Sequence, residues 1–333
     1  MEYRFLVNSD PLLLLNLELA DPQRAKAWGI DTINGLEKIK ERLQLLSQIY
    51  PDYLQEIQRL DLTDTLSHLT TLWNLWLPLS LNLAQTRQQL NRPLIQGILG
   101  GQGTGKTTLC SMVGLILSHL NYQALSLSLD DLYKTYQERQ NLSKASPLLI
   151  WRGPPGTHDV ELGIELMEQV KQAKSPILVP QFDKSRHNGE GDRIAPKLVE
   201  RVDILLFEGW FVGVQPIQTD LEDPLTKESN QRLYEYLPLW EKLDQLMVLL
   251  PQDYKLSKQW RNQAEQKMKR TGKAGMSEEQ INKFVEYFWR SLPPELFITP
   301  LTENADLVNL IIEINSNHGI NQVRTTNLIS QII

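Results

Sequence analysis

The chain has 333 residues, of which 41% are hydrophobic and 22% are charged, and its formal charge at pH 7 is −6. This length suits one large α/β domain with an accessory region, and the composition is that of an ordinary globular protein. Because a net negative charge offers no basic field to a polyanion, we expect no nucleic-acid partner.

The sequence also carries few signals for export or membrane insertion. No apolar run approaches the ~20 residues needed to cross a bilayer, so we expect no membrane partner. The first residues, Met1 to Phe5, lack the basic-then-apolar pattern of a signal peptide. The single cysteine, Cys110, rules out an intramolecular disulfide. We therefore expect a cytoplasmic protein, and the sequence gives no reason to infer an obligate protein partner.

Residues 1–92 are dominated by apolar residues at helical spacing, which places them on one face of a helix. The first stripe consists of Ile33, Leu36, Ile39, Leu43, Leu46 and Ile49. The second consists of Leu66, Leu69, Leu72, Trp73 and Trp76. Pro78 is expected to kink or end that second helix. We interpret both stripes as packing faces of an N-terminal helical region that ends at Asn91-Arg92-Pro93.

A phosphate-binding loop follows this region, between the apolar run Ile95 to Leu99 and a helical run from Thr108 to Leu120. The loop is Gly100-Gly101-Gln102-Gly103-Thr104-Gly105-Lys106-Thr107 and matches G-x-x-x-x-G-K-[ST] in its strand-to-helix context. Glycines let successive backbone N–H groups point at phosphate oxygens, and the helix adds its positive dipole end. Lys106 is expected to reach the β- and γ-phosphates, and Thr107 to ligate Mg²⁺. Residues 100–108 therefore predict a nucleoside triphosphate site.

From residue 94 onward, short apolar runs alternate with helical patterns. These runs lie at residues 124–129, 177–179, 204–207, 245–250 and 310–314. The alternation implies parallel β-α-β units, so we predict an α/β P-loop NTPase fold with a mainly parallel sheet over residues 93–333. Ligands of such sheets bind at the carboxyl ends of the strands, where Asp130, Glu208 and the phosphate loop all fall.

Two acidic positions at these strand ends are candidates for chemistry. A carboxylate that orients an alcohol is needed for phosphoryl transfer, and Asp130 is our candidate, although turn or cap chemistry is the alternative for any aspartate after a strand. Asp131 is assigned to a cap or to the support of neighbouring site residues. Glu208 ends the hydrophobic run from Asp203, as in the second magnesium motif of phosphate-loop enzymes. We therefore predict that Thr107, Glu208 and Asp130 surround the metal.

Three charged segments supply further candidates. Residues 152–159 and 180–193 are loops of the kind that bind small acceptor molecules on an α/β scaffold. For any single charged residue there, a solvated surface turn is the alternative. Residues 261–273 form a basic helix and its exit turn, and this segment could close over a triphosphate and neutralise transition-state charge. Arg261 and Arg270 are our choices there, against a solvated helix face paired with Glu265.

The motifs after residue 93 resemble those of D-glycerate 3-kinases. The segments that carry the resemblance, in order, are Leu127-Ser128-Leu129-Asp130-Asp131-Leu132-Tyr133, Arg152-Gly153, Gly156-Thr157-His158-Asp159, Phe182-Asp183-Lys184-Ser185, Asn188-Gly189-Glu190-Gly191-Asp192-Arg193, Leu206-Phe207-Glu208-Gly209-Trp210, Trp260-Arg261-Asn262-Gln263-Ala264-Glu265 and Gly272-Lys273-Ala274-Gly275-Met276-Ser277. They span roughly residues 93–290. The helical region before them also resembles the helical extension of the family.

The resemblance implies phosphorylation of D-glycerate at its 3-hydroxyl, with ATP and Mg²⁺, to give 3-phosphoglycerate in photorespiratory glycerate salvage. The wider group contains uridine kinase, pantothenate kinase and phosphoribulokinase, and it implies that Asp130 is the base. As a hypothesis, one or more of Arg152, Lys184 and Arg193 hold the carboxylate of glycerate, because a guanidinium fork suits a planar carboxylate. His158 is a candidate hydrogen-bond partner of an acceptor hydroxyl.

Other readings of the same phosphate loop remain open. A regulatory GTPase would need an Asn-Lys-x-Asp motif to recognise the guanine base, and the sequence lacks this motif. A kinase of the same fold that acts on another small hydroxylated metabolite is the nearer alternative. A non-catalytic ATP-binding protein is the third, and the presence of Lys106, Thr107, Asp130 and Glu208 together argues against it.

Overall fold

The computed structural model describes residues 3–62, 65–270 and 277–326, apart from the side chains of residues 65, 66, 267, 268 and 270. The described α-helices are Tyr3–Asn8 (α1), Pro11–Leu19 (α2), Pro22–Ala27 (α3), Gly35–Arg59 (α4), Thr65–Thr71 (α5), Leu77–Leu90 (α6), Lys106–His119 (α7), Tyr136–Ala145 (α8), Val160–Lys171 (α9), Pro224–Leu233 (α10), Leu237–Trp240 (α11), Leu256–Arg270 (α12), Glu278–Ser291 (α13), Pro294–Phe297 (α14) and Thr299–Thr302 (α15). Across these ranges, no helix combines the length and the apolar character that spanning a bilayer requires.

The strands form one large sheet and one hairpin. The strands are Leu94–Gly100 (β1), Ala124–Ser128 (β2), Ile177–Asp183 (β3), Asp192–Val199 (β4), Ile204–Gly209 (β5), Gln245–Pro251 (β6), Leu310–Ile314 (β7) and Ile320–Thr325 (β8). The sheet has the order β2-β5-β1-β6-β7-β8, and all neighbours are parallel except the edge pair β7 and β8. The predicted α/β fold with a mainly parallel sheet is confirmed.

One predicted strand lies outside this sheet. The run at residues 177–179 belongs to β3, which pairs antiparallel with β4 in a separate two-stranded hairpin. The physical reason is the connection, because a short loop permits only an antiparallel partner, whereas a parallel one needs a crossover of a dozen residues or more. The expectation that this run belongs to the parallel sheet is therefore wrong.

Side chains alternate across the sheet and bury one cluster on each face. On β1, Leu94 and Ile98 point into a cluster that includes α7, whereas Ile95 and Leu99 point into the opposite cluster with α9. The first cluster also contains Ile39 and Leu46 of α4. The N-terminal helices therefore share a continuous core with the sheet, even though the predicted boundary at residue 92 falls just before β1.

The N-terminal stripes are mostly buried, with one exception. Ile33 precedes α4 and is 93% exposed, so it does not belong to the packing face. Pro78 does not end its helix, because a π-helical turn, Leu72–Trp76, precedes it and α6 continues to Leu90. Pro78 has no N–H to donate to the carbonyl oxygen of Asn74, four residues earlier, and that oxygen instead accepts from the indole N–H of Trp28 at 3.0 Å. The side chain of Leu66 lies outside the described residues.

A buried ion pair joins the first helices. The carboxylate of Glu18 on α2 accepts from the guanidinium of Arg42 on α4 at 2.9 Å and from that of Arg24 on α3 at 3.0 Å. The side chains of Glu18 and Arg42 are 1% and 2% exposed, so water cannot replace either partner. Breaking such a pair from one side leaves a desolvated charge without compensation.

We therefore expect Glu18→Gln to lower the free energy of unfolding by about 3 kcal/mol, the size of effect seen when one partner of a buried pair is removed. Urea denaturation followed by circular dichroism measures this. The matched control is Glu37→Gln, which breaks the exposed pair between Glu37 and Lys40 and should change stability by less than ~0.5 kcal/mol. Equal effects of the two substitutions would contradict the role given to the buried pair.

Candidate active site

The phosphate loop joins β1 to α7, and its glycines are required by the backbone. Gly103 and Gly105 have φ angles of 79° and 87°, in the left-handed region that side chains rarely adopt. A Cβ atom on Gly103 would lie 2.5 Å from the Cβ of Trp260, so α12 packs directly on the loop. His318, in the turn between β7 and β8, contacts the carbonyl oxygen of Gly103 at 2.8 Å and lies 4.5 Å from the Trp260 ring.

The side chains of the loop are arranged around its mouth. Lys106 donates hydrogen bonds to the carbonyl oxygens of Gly100 at 2.7 Å and Gly101 at 3.1 Å. Thr104 is buried, and its hydroxyl also donates to Gly101. In the first turn of α7, Thr107 is exposed, whereas Thr108 and the loop residue Gln102 are partly buried. This arrangement fits a polyphosphate, because the helix begins with backbone N–H groups that lack intrahelical acceptors.

Glu208 lies beside Lys106 at the end of β5. Its carboxylate is 3.8 Å from the Lys106 ammonium, and both side chains are largely buried. Across the described chain, no group of three or more His, Cys, Asp or Glu side chains could hold a metal ion by itself. Mg²⁺ usually combines one or two protein ligands with waters and phosphate oxygens, so Glu208 and Thr107 fit such a site.

Asp130 follows β2 in a 3₁₀ turn, Leu129–Leu132, which Ser128 and Asp131 cap reciprocally. The Ser128 backbone N–H donates to Asp131, and the Asp130 backbone N–H donates to the Ser128 hydroxyl. Ser128 is the strand partner of Glu208, so Asp130 and Glu208 lie on neighbouring strand ends. The reciprocal capping bonds fix the turn and leave the Asp130 carboxylate for other partners.

Two side chains bind the Asp130 carboxylate. The Lys184 ammonium lies 2.6 Å away, and the Tyr133 hydroxyl donates a hydrogen bond. Burial raises the pKa of Asp130, but the Lys184 charge and these hydrogen bonds outweigh it, so the pKa lies below its usual value. Asp130 is therefore ionised at neutral pH and can accept a hydrogen bond from an alcohol.

His158 is the most deeply buried of the predicted acceptor residues, with 1% of its surface exposed. Its Nδ1 lies 2.8 Å from the Tyr236 hydroxyl, and its ring stacks on Tyr133 with the centroids 4.5 Å apart. Burial lowers the pKa of His158 to about 3, so the ring is neutral. The structure therefore places His158 behind Tyr133, close enough to Asp130 for the two charges to interact when both are ionised.

The guanidinium of Arg193 binds two groups of the protein itself. It forms an ion pair with Asp159 at 2.8 Å and donates from Nε to the carbonyl oxygen of Tyr133 at 2.9 Å. Asp159 in turn caps α9 through the backbone N–H of Leu162. These two contacts brace the start of α9 against β4, and the assignment of Arg193 to the acceptor carboxylate stays a prediction.

Lys184 lies beside Asp130, and Arg152 lies beside the neighbouring Tyr133. Arg152 donates to the carbonyl oxygens of Gly189 and Glu190 at 2.7 and 2.9 Å, and its guanidinium lies 5.9 Å from the centroid of the Tyr133 ring. Lys184, which pairs with Asp130, is 60% exposed and lies in the loop between β3 and β4. The hairpin loop therefore brings both cations to the edge of the sheet where Asp130 lies.

The basic helix is α12, which contains both predicted residues. Arg261 pairs with Glu265 at 3.3 Å and lies 5.9 Å from the centroid of the Phe284 ring. It follows Trp260, which packs on Gly103, so the start of α12 borders the phosphate loop. Arg270 ends α12, and its side chain lies outside the described residues, as does Lys273.

Comparisons with known proteins point to one family of kinases. The chain is 34% identical over 221 residues to the uncharacterized kinase mug58 of Schizosaccharomyces pombe, which covers 59% of this chain and 79% of that protein. It is 34% identical over 210 residues to the chloroplastic D-glycerate 3-kinase of Arabidopsis thaliana, with 59% of this chain covered. The chain belongs to the D-glycerate 3-kinase family. The match spans only 46% of the length of the Arabidopsis protein.

A solved structure supports the same family. The D-glycerate 3-kinase of Cryptococcus neoformans superposes with a TM-score of 0.66 at 27% identity and covers 73% of this chain and 98% of that one. A comparison with protein-family models gives no match. The curated relatives and the solved structure nevertheless confirm the resemblance inferred from the motifs.

Sequence reasoning missed several residues that build this site. Tyr133 and Trp260 lie within the family motifs, but motif position alone does not reveal that one binds Asp130 and the other packs on Gly103. Arg139 donates to the carbonyl oxygens of Glu190 and Gly191 and so fixes the hairpin loop. His318 and Tyr236 lie in no recognised motif, and no local signal in the sequence could have found their contacts.

The ion pair between Lys184 and Asp130 predicts a measurable titration. Lys184→Met removes the ammonium but leaves the burial of Asp130, so the pKa of Asp130 should rise. Carboxyl ¹³C NMR of aspartate-labelled protein over pH 2–8 measures this. The control is Lys197→Met in the same hairpin, whose exposed side chain lies on β4, and which should leave the Asp130 titration unchanged. A pKa of Asp130 that stays low in Lys184→Met would show that another group depresses it.

Proposed function

We propose that this protein transfers the γ-phosphoryl group of ATP to the 3-hydroxyl of D-glycerate and so produces 3-phosphoglycerate. The observation that carries the proposal is the position of Asp130, which follows a strand end beside Glu208 and the phosphate loop and pairs with Lys184. The names of the Arabidopsis and Cryptococcus relatives support glycerate as the acceptor. As part of the same proposal, the reaction takes place in the cytoplasm and serves photorespiratory glycerate salvage.

In this proposal, each side chain has a defined task. Asp130 accepts a hydrogen bond from the 3-hydroxyl and takes its proton as the phosphoryl group is transferred. Lys106 binds phosphate oxygens in place of the carbonyl oxygens that it contacts in this structure. Arg261 and Arg270 close over the triphosphate and neutralise its charge.

The metal site is assigned to Thr107 and Glu208. Mg²⁺ bound there supplies positive charge to the phosphate oxygens during transfer. Asp130 already has Lys184 and Tyr133 as partners, so we assign it to the acceptor hydroxyl and not to the metal. Glu208 keeps Lys106 near the phosphates through their mutual attraction at 3.8 Å.

The carboxylate of the acceptor is assigned to Lys184 and Arg152. Both cations lie beside the Asp130 turn, and the exposure of Lys184 allows its ammonium to contact a second carboxylate. The positive charge of Lys184 beside Asp130, together with that of Arg152 near Tyr133, also offsets the repulsion between Asp130 and an anionic substrate.

The central test is Asp130→Asn. An amide cannot take the proton of the alcohol, so we expect turnover of glycerate to fall by a factor of about 10² to 10⁴. The affinity for ATP, measured by calorimetry, should change little, because the side chains that bind the Asp130 carboxylate, Lys184 and Tyr133, lie outside the phosphate loop. Asp306→Asn, in an exposed turn, is the matched control and should retain full activity.

The assay pairs ATP and Mg²⁺ with a panel of hydroxy acids and nucleosides. Turnover of glycerate alone supports the proposal. Turnover of a different acceptor would indicate a kinase of the same fold with another substrate, and ATP binding without any turnover would indicate a non-catalytic protein.

Arg152 and Arg193 provide a second test, because the two side chains have different partners. Arg152→Gln should raise the KM for glycerate about tenfold, in the range for loss of a charge-assisted hydrogen bond, and leave the KM for ATP unchanged. Arg193→Gln should instead lower the melting temperature, since it breaks the pair with Asp159. Steady-state kinetics and differential scanning calorimetry measure these effects. An unchanged KM for glycerate in a folded Arg152→Gln protein would remove Arg152 from the acceptor site.

A further inference from the structure

The hydrogen bonds of Tyr236 determine where His158 carries its proton. The backbone N–H of Gly156 donates to the Tyr236 hydroxyl oxygen at 2.9 Å, and a backbone N–H can only donate. The backbone N–H of His158 also donates to this oxygen, so both acceptor positions of the hydroxyl are used and its proton is directed at Nδ1 of His158, at 2.8 Å. Nδ1 therefore accepts, and a neutral imidazole with an accepting Nδ1 carries its proton on Nε2.

The ring stays in this neutral form over the working range of pH. Burial is the main cause of the low pKa of His158, and the positive charge of Lys134 acts in the same direction, while Asp130 opposes them. The ring is also enclosed by the aromatic rings of Tyr133, Phe211 and Tyr236. His158 is consequently a hydrogen-bond donor at Nε2 and an acceptor only at Nδ1.

The Nε2–H group of His158 is a donor that lacks an acceptor among the described residues. It is buried, and no side-chain or backbone group in the described part of the chain pairs with it. Buried donors in native proteins nearly always have a partner, so a missing one calls for an explanation. The same ring stacks on Tyr133, whose hydroxyl binds Asp130, and the Asp130 charge acts on His158. The unused donor is therefore close to the proposed base.

We propose that Tyr236 is a positioning residue that fixes the Nε2–H tautomer of His158, and that His158 donates this hydrogen bond to the 2-hydroxyl oxygen of the acceptor. This inference rests on the proposed function. A neutral donor suits a neutral hydroxyl, whereas the acceptor carboxylate is matched by the charges of Lys184 and Arg152. A site that hydrogen-bonds a substrate hydroxyl also rejects the analogue without it, because its polar group is left unpaired.

The first experiment measures the tautomer directly. In protein labelled with ¹⁵N-histidine, the wild-type His158 ring should show one protonated nitrogen, Nε2, from pH 5 to 8. Tyr236→Phe removes only the hydroxyl from a buried ring, and we expect it to populate the Nδ1–H tautomer as well. The matched control is Tyr53→Phe, whose buried hydroxyl has no partner among the described residues and lies in the N-terminal helices, and it should leave the His158 signals unchanged. A wild-type ring protonated at Nδ1 would overturn the proposal.

The second experiment measures selectivity as the ratio of kcat/KM for glycerate to that for 3-hydroxypropionate, which lacks the 2-hydroxyl. Tyr236→Phe should lower this ratio roughly tenfold, mostly through the KM for glycerate, and leave the KM for ATP unchanged. His158→Gln should keep more selectivity than His158→Phe, because the amide nitrogen of glutamine reaches close to the Nε2 position. This pair of substitutions also carries the test if Tyr236→Phe does not fold.

The outcomes separate this inference from the proposed function. If the wild-type protein phosphorylates glycerate but Tyr236→Phe and both His158 variants keep its selectivity, His158 is a packing residue that binds at most a water, and the inference is overturned. If the wild-type protein phosphorylates no hydroxy acid, the proposed function fails and the assignment to the 2-hydroxyl fails with it.

Discussion

The parallel register of β2, β5 and β1 is the constraint on which the candidate site depends. Ser128 and Ile98 are the strand partners of Glu208 on its two sides, so the three strands end together and deliver Asp130, Glu208 and the phosphate loop to one edge. Alternation along β5 also sets direction, because Leu206 packs on the α7 face and Phe207 on the opposite face. Glu208 therefore points toward α7, where it meets Lys106. A slip of one residue would turn Glu208 to the other face.

Charge is compensated within this edge by partners from distant parts of the chain. Glu208 lies beside Lys106 and Asp130 beside Lys184, so each carboxylate that follows a strand has an ammonium group near it. Burial alone would raise the pKa of Asp130 and favour its neutral form. The Lys184 charge and the hydrogen bonds from Lys184 and Tyr133 reverse that tendency, so the Asp130 carboxylate is ionised at neutral pH.

The sequence revealed the parts of the site that local patterns encode. A glycine-rich loop between a strand and a helix is recognisable because the backbone geometry demands glycine, and apolar runs that end in acids mark strand ends. Pairing over long distances is not encoded locally, so the hairpin of β3 and β4 and the bond between Arg193 and Asp159 had to be seen in the structure. The contact between His158 and Tyr236 joins residues 78 positions apart, and neither residue's neighbours point to the other. The family resemblance pointed to His158 as a site residue, but only its hydrogen-bond geometry indicates which ring nitrogen carries the proton.

The contacts of the two lysines suggest how the site accommodates its substrates with little change of shape. Lys106 bonds to carbonyl oxygens of its own loop, and Lys184 bonds to Asp130. Phosphate and carboxylate oxygens offer the same kind of acceptor to an ammonium group, so binding exchanges one hydrogen bond for another of greater charge. The loop itself is held from behind by Trp260 and His318, and the hairpin loop by Arg139 and Arg152. Because these braces fix the backbone while the lysine tips change partner, ordering the site costs little conformational entropy when substrates bind.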